Sequence, residues 1–129
     1  MMTARQFEKI NGHTPTVART LMGVWVASCT CDCWRGPMKL TCTAFKEHEA
    51  LEKLLEAVYK HHGDIVMHQA NWMCSNCKSV RGLESHHKVH RSKGRDDRVE
   101  NLTAHCARCH TQAHSAGFKV RPADRKTAV

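Results

Sequence analysis

Residues 74 to 114 read CSNCKSVRGLESHHKVHRSKGRDDRVENLTAHCARCHTQAH; two Cys-x-x-Cys pairs, Cys74 with Cys77 and Cys106 with Cys109, bracket a His-His pair, an Asn and a closing His-x-x-x-His. Two residues between paired cysteines let both thiolates reach one tetrahedral zinc from a single turn. A second pair completes a closed structural site. Twenty-eight residues separate Cys77 from Cys106, more than the roughly 15 to 20 of the usual four-cysteine spacing. A folded unit must therefore fill the interval, and a β-hairpin fits. Four buried or redox-active thiols are the alternative, which two separate Cys-x-x-Cys pairs disfavour.

Within the interval, Glu84 to His90 has strand character with Leu83 and Val89 as apolar contacts, SKGRDD is a turn built on Gly94, and Val99 to Thr103 can return as a second strand. After Leu102 the run THCARCHTQAHSAG has helical spacing and ends at Gly117, a suitable residue just past a helix C-terminus. His110 and His114 are four apart, so on a helix they share a face and can both turn imidazoles to a single ion. A partition giving Cys74, Cys77, His110 and His114 to one zinc needs an inner spacer of 32 residues, far beyond the roughly 12 to 15 of a Cys2His2 finger.

At these residues, about a third of the chain, the sequence resembles the HNH endonucleases of the ββα-metal class, specifically those with a four-cysteine zinc site around the catalytic hairpin. The motif elements stand here as His86-His87, GRDDRVENL ending in Asn101-Leu102, Cys106-Ala-Arg-Cys109-His110 and a further His114. The resemblance implies an α+β fold: a ββα-metal core stapled by zinc on Cys74, Cys77, Cys106 and Cys109. It implies that His87 is the general base, that His86, His110 and His114 hold a catalytic divalent ion such as Mg2+, Mn2+, Ni2+ or Zn2+, and that Asn101 braces the hairpin. Many members carry Asp where His86 stands, whereas the colicin DNases have a His-His pair and a closing His-x-x-x-His, as here. Products would carry 5′-phosphate and 3′-hydroxyl.

The chemistry can be checked independently of the resemblance. Phosphodiester hydrolysis needs an activated water in line with the leaving oxygen and positive charge to stabilise the phosphoryl group. Imidazole titrates near neutrality and can take a proton from water if a second group orients it through its other nitrogen. A backbone carbonyl of the hairpin is the expected partner for His87. The other histidines, His13, His48, His61, His62 and His68, read as surface imidazoles; His90 and His105 stay open.

Charge is divided unevenly along the chain. The formal net charge is +8; Lys78 to Val129 holds twelve Lys or Arg against five Asp or Glu, giving +7, and Met1 to Cys77 holds eight against seven, giving +1. A basic segment gains affinity for a polyanion by releasing counterions from phosphates. Arg81, Lys88, Arg91, Lys93, Arg95, Arg98 and Arg108 are the candidate phosphate contacts. With only three Trp, three Phe and one Tyr, stacking on single strands has little support, and duplex DNA fits better.

Ahead of this stretch, residues 1–68 read as a helical and hairpin region, followed by a nuclease domain at 69–118 and a basic tail at 119–129. TARQFEKI is a short helix, NGH a turn, and Thr14-Pro15 could cap a second helix running to Met22 and stopping at Gly23. Two such helices would permit, without requiring, a helix-turn-helix. VWVASCTC and MKLTC pair as a hairpin through the RGP turn, so Cys29, Cys31 and Cys33 share a strand face that Cys42 could join. That set is a weaker candidate for a second structural zinc, with buried thiols as the alternative. The long helix about 43–62 carries Phe45, Leu51, Leu54, Leu55 and Val58 in one stripe, ends at Gly63, and serves for packing or as a dimerising element. LMGVWVASC resembles a lipoprotein signal, but its apolar core is only seven residues and Glu8 precedes it. It is read as part of a cytoplasmic protein with no membrane span.

Three functions remain open at this level: a metal-dependent DNA endonuclease, a non-catalytic zinc-dependent nucleic-acid-binding module, and an accessory nuclease of a phage or mobile-element assembly that docks a protein partner or homodimerises through its N-terminal region. The intact His87 and ligand set favour the first.

Overall fold

The structure is a computed structural model of the 129-residue chain that describes residues 1–89 and 94–110. Helices and strands mix along the chain, and it divides into two compact units, Met1–His61 and His62–Val129.

In the first unit, helix α1 (Ala4–Asn11) is set by a reciprocal capping box: Thr3 Oγ accepts from the Gln6 N–H, and Gln6 Oε1 accepts from the Thr3 N–H at 2.9 Å. Gly12 ends it in the left-handed conformation at φ 82, its N–H donating to the Glu8 carbonyl. The expected second helix does not form. Thr16–Arg19 is strand β1, paired antiparallel with β2 (Trp25–Cys33), and the Thr14 hydroxyl donates to the Glu8 carboxylate instead of capping a helix. Thr16 and Val17 are β-branched and pack well on a pleated surface. Gly23 lies in the β1–β2 turn, at φ 82, where its N–H donates to the Thr20 carbonyl. Without the second helix, the helix-turn-helix reading falls.

Strand β3 (Gly36–Ala44) completes a sheet of order β1-β2-β3. Cys33 pairs with Gly36, leaving the two-residue turn Trp34-Arg35, with Gly36 at φ 89. One face of the sheet, carrying Ala27 and Cys29, joins Phe7 of α1 and Ala50, Leu51, Leu54, Leu55 and Val58 in a buried cluster. Each large apolar side chain so buried contributes about 1.5–3 kcal/mol. Phe45 stands apart from the stripe at 81% exposure, because it precedes the helix.

Helix α2 (Glu47–Gln69) runs seven residues beyond the expected His62 and through Gly63. A glycine inside a helix costs only about 1 kcal/mol, and packing offsets that here. A Cβ on Gly63 would lie 2.9 Å from Ser85 Oγ, so the missing side chain admits strand β4 against the helix. Past Gln69 the chain turns away through Asn71 and Trp72, both left-handed (φ 56 and 57), with the Trp72 N–H donating to the Met67 carbonyl. Trp72 is half exposed.

The second unit holds the hairpin of β4 (Leu83–His87) and β5 (Leu102–Cys106), registered from Leu83 opposite Cys106 to His87 opposite Leu102. The returning strand starts three residues later than expected, because Val99–Asn101 forms a 3-10 turn. Helical structure begins at 107, not after Leu102. All five β5 residues are buried, so the sequence shows no alternation there. Among the described residues no helix is long and apolar enough to cross a membrane.

Candidate functional site

Two turns bring the four cysteines together. Lys78 N–H donates to the Cys74 carbonyl at 3.0 Å and Cys74 N–H to the Ser79 carbonyl at 2.8 Å, closing a tight loop in which Lys78 takes φ 66. Across from it, Ala107 N–H donates to the Gly82 carbonyl as β5 gives way to helix, and Cys109 N–H points to Cys106 Sγ at 3.4 Å. The Sγ atoms of Cys74, Cys77, Cys106 and Cys109 all lie within 4.8 Å of one another. Cys74, Cys106 and Cys109 are buried and pack with Leu83.

This donor set fits a tetrahedral zinc, whose thiolate sulfurs stand about 3.8 Å apart at Zn–S distances of about 2.3 Å; Cys77 and Cys106 are already 3.6 Å apart. The electrostatics agree with a site that needs a cation. Burial pushes the Cys74 thiol up, but the N–H groups of Cys77, Cys106 and Asn76 and a contact with Cys109 outweigh it and bring it down to about 6. Burial and the neighbouring sulfurs push Cys109 up to about 12, against a hydrogen bond from Asn76. The first thiolate forms easily and the last is resisted by its neighbours, a conflict that a divalent cation among the sulfurs removes.

The other cysteine set behaves differently. Cys29 and Cys31 are buried and Cys33 and Cys42 partly so, but Cys42 sits opposite Ala27, and the four do not converge as the first set does. Burial, then the nearness of Cys31 and Cys42, pushes the Cys29 thiol up to about 11. These are features of packed thiols.

Strand alternation sends His86 and His87 to opposite faces of the hairpin. The His86 ring stacks on His110 with centroids 3.5 Å apart and planes within 7°, and His105, fully buried, lies 6.2 Å from it. Parallel stacked rings direct their in-plane lone pairs alongside one another, so the stack brings His86 and His110 together without itself forming a ligand pair. His114, the third expected ligand, lies outside the described residues, as do His90, Arg91, Lys93 and the expected tail and Gly117 helix end.

His87 Nε2 lies 2.7 Å from Asp97 Oδ1. Asp97 is fully buried; its other oxygen accepts from Arg95 Nε and Nη2, each at 2.8 Å, and its carbonyl lies 2.6 Å from His62 Nδ1. The expected backbone-carbonyl partner of His87 is thus replaced at Nε2 by a carboxylate. His62 and His61, read from sequence as surface imidazoles, are both buried. Asn101 spans the loop before β5: its Nδ2 donates to the Asp96 carbonyl at 2.7 Å and its Oδ1 accepts from Val89 N–H. The Lys88 N–H also donates to the Asn101 carbonyl.

Among the basic candidates, Arg81 and Arg108 are exposed and Lys88 partly so. Arg95 is engaged by Asp97, and Arg98 donates to both Asp96 carboxylate oxygens. The Arg98 hydrogen bond, opposed by partial burial, holds the Asp96 carboxyl below its ordinary value. Sequence reasoning missed Asp97 and His62. The Asp96-Asp97 pair read simply as turn residues, and His62 lies 35 positions away from Asp97.

Comparison with known families agrees with the geometry. Residues 74–116 match the family model described as HNH endonuclease. No curated protein and no solved structure matches the chain. With the hairpin, the four-cysteine cluster and this match in one segment, the chain carries a domain of the HNH endonuclease family at residues 74–116.

Proposed function

We propose that the chain is a metal-dependent endonuclease that hydrolyses phosphodiester bonds of duplex DNA and leaves 5′-phosphate and 3′-hydroxyl ends. The observation that carries this reading is that one strand end bears both His86, stacked with His110, and on the opposite face His87, whose ring a buried carboxylate holds. In this reading Cys74, Cys77, Cys106 and Cys109 hold a structural zinc, and His86, His110 and His114 hold the catalytic ion. That ion, when bound, supplies Lewis acidity toward the phosphoryl group and the leaving oxygen.

His87 takes the proton from the attacking water. His86 and His87 stand at the loop end of the hairpin on opposite faces, so in this reading the scissile phosphate lies across that end. Asn101 holds the loop that carries Asp97 by bonding to Asp96 and Val89. Arg81, Lys88 and Arg108, with Arg91 and Lys93, contact backbone phosphates; Arg95 and Arg98, committed to carboxylates, contribute less. A set of phosphate contacts with little aromatic surface gives strong salt dependence and weak sequence preference.

The test is incubation of the full chain with supercoiled plasmid, with and without magnesium, manganese or nickel, beside His87→Ala. Metal-dependent nicked or linear product that falls about 10²–10⁴-fold in the variant is expected for loss of a general base. Plasmid retarded on the gel but uncut under every metal would instead leave a nucleic-acid-binding module.

A further inference from the structure

We propose that the four-cysteine end of the ribbon is a phosphate anchor for nucleic acid, built by Lys78 together with Arg81 and Arg108. That the anion is a DNA duplex rests on the nuclease reading above. The site itself is separate from the catalytic end. Strand β4 runs four residue steps from Leu83 to His87, about 14 Å of strand, and the three cations lie beyond Leu83 and its partner Cys106.

Lys78 is the residue that most needs a ligand to explain it. It follows the second cysteine of the first pair, where the chain reverses: its N–H donates to the Cys74 carbonyl, the Cys74 N–H donates to the Ser79 carbonyl, and the backbone takes φ 66. A side chain in this left-handed conformation crowds the backbone, and glycine is the residue that avoids the strain. The same loop uses glycine at Gly82, where φ is 63. A lysine at 78 is therefore a cost to the fold. Burial does not offset it, because the residue is exposed, and no ion pair among the described residues does either.

Its neighbours add charge of the same sign. Ala107 N–H donates to the Gly82 carbonyl, and Arg81 and Arg108 each stand one residue beyond that bond on their own segments. Both are exposed, and neither makes an ion pair among the described residues. Like charges gathered with no paired carboxylate repel one another and disfavour the folded state, and an anion bound among them reverses that. Phosphates of a nucleic-acid backbone suit the set, since each cation that meets one releases condensed counterions. The chain offers one other use for the charge: four thiolates around a divalent ion are net negative, and a nearby cation would offset them. The two roles part on zinc retention, which depends on Lys78 only in the second.

The decisive variant is Lys78→Gly, which removes the cation and relieves the backbone in one change. The full zinc-loaded chain and its variants are titrated against a fluorescent DNA duplex of arbitrary sequence at several salt concentrations, with no catalytic metal added. The expected result is an affinity about tenfold lower at about 0.1 M salt, with a slope of log K against log salt shallower by about 0.9, as the loss of one phosphate contact requires. The melting temperature should be unchanged or higher, and the zinc content unchanged. Arg81→Ala and Arg108→Ala should each make the slope shallower by a similar amount, and in plasmid nicking all three variants should raise KM rather than lower kcat. Unchanged affinity and slope in Lys78→Gly would overturn the proposal. So would a loss of zinc or a lower melting temperature in that variant, which would assign the lysine to the sulfurs or to the fold. If the wild type binds the duplex with this dependence on Lys78 but cuts nothing under any metal, the nuclease reading fails and the anchor stands.

Discussion

The chain holds two sets of four cysteines, and only one of them gathers. On β2, Cys29, Cys31 and Cys33 share a face, with Cys42 on β3 beside them, yet they do not converge. Alternate residues on a strand are about 6.8 Å apart, nearly twice the roughly 3.8 Å between thiolates around one zinc. In the second set, each pair is three positions apart on a turn, and the hairpin brings Cys106 opposite Leu83, close to the first pair. Sharing a face is insufficient for ligation; a chain reversal at each pair is what shortens the distances. The two units differ accordingly in what holds them. The first has a packed cluster of Phe7, Leu51, Leu54, Leu55 and Val58, whereas around the hairpin the cysteines themselves form a buried cluster with Leu83.

That contrast can be broken most directly at Cys109. Cys109→Ser, or a strong chelator, should remove about one zinc per chain and release the hairpin, because binding of a structural zinc contributes on the order of 10 kcal/mol to folding. Hydrogen exchange should then show β4 and β5 losing protection while β2 and β3 keep theirs. Zinc content by elemental analysis should be unchanged in Cys29→Ala and Cys42→Ala; a second zinc lost with either would erase the distinction drawn here.

The reverse experiment is Leu54→Ala. Leu54 is fully buried in the first cluster, and truncation of such a leucine costs about 2–5 kcal/mol. Denaturant unfolding should register that loss with zinc content intact. A variant that also released zinc would show the two units to be one cooperative system.

Gly63→Ala probes the close approach of helix and hairpin inside the second unit. The new Cβ would meet Ser85 Oγ at 2.9 Å, and overpacking of this kind costs about 1–3 kcal/mol. Ser85→Ala in the same chain should recover part of the loss, a coupling that a double-mutant cycle measures.

The smallest effect is expected at Arg98. Its bond to Asp96 holds that carboxyl below its ordinary value, so the stabilisation is present above the unfolded carboxyl pKa and is lost as pH falls through the folded one. Arg98→Ala should lower the melting temperature slightly at neutral pH, and the difference from wild type should vanish under acid. A difference that persisted below about pH 3, under the ordinary carboxylate range, would assign the effect to packing of the Arg98 stem instead.

The pairing of His86 with His110 was expected only from the family resemblance. Residue spacing alone was enough for the four-cysteine cluster and the hairpin between its halves, because these depend on ligand reach and on periodicity, both local properties of a chain. Helix α1, the β2–β3 hairpin and most of the α2 stripe follow for the same reason. The failures also share a cause. Thr16–Arg19 became a strand because β2 was there to pair with it, and Gly63 failed to stop α2 because Ser85 needed the space its side chain would fill. The partner of His87 is of the same kind: Asp97 lies ten residues after it, and His62 lies 35 residues before Asp97, and each is recognisable only once burial has forced its polar atoms to find one another. Spacing decided which residues could bind metal; tertiary packing decided which buried groups must share their protons.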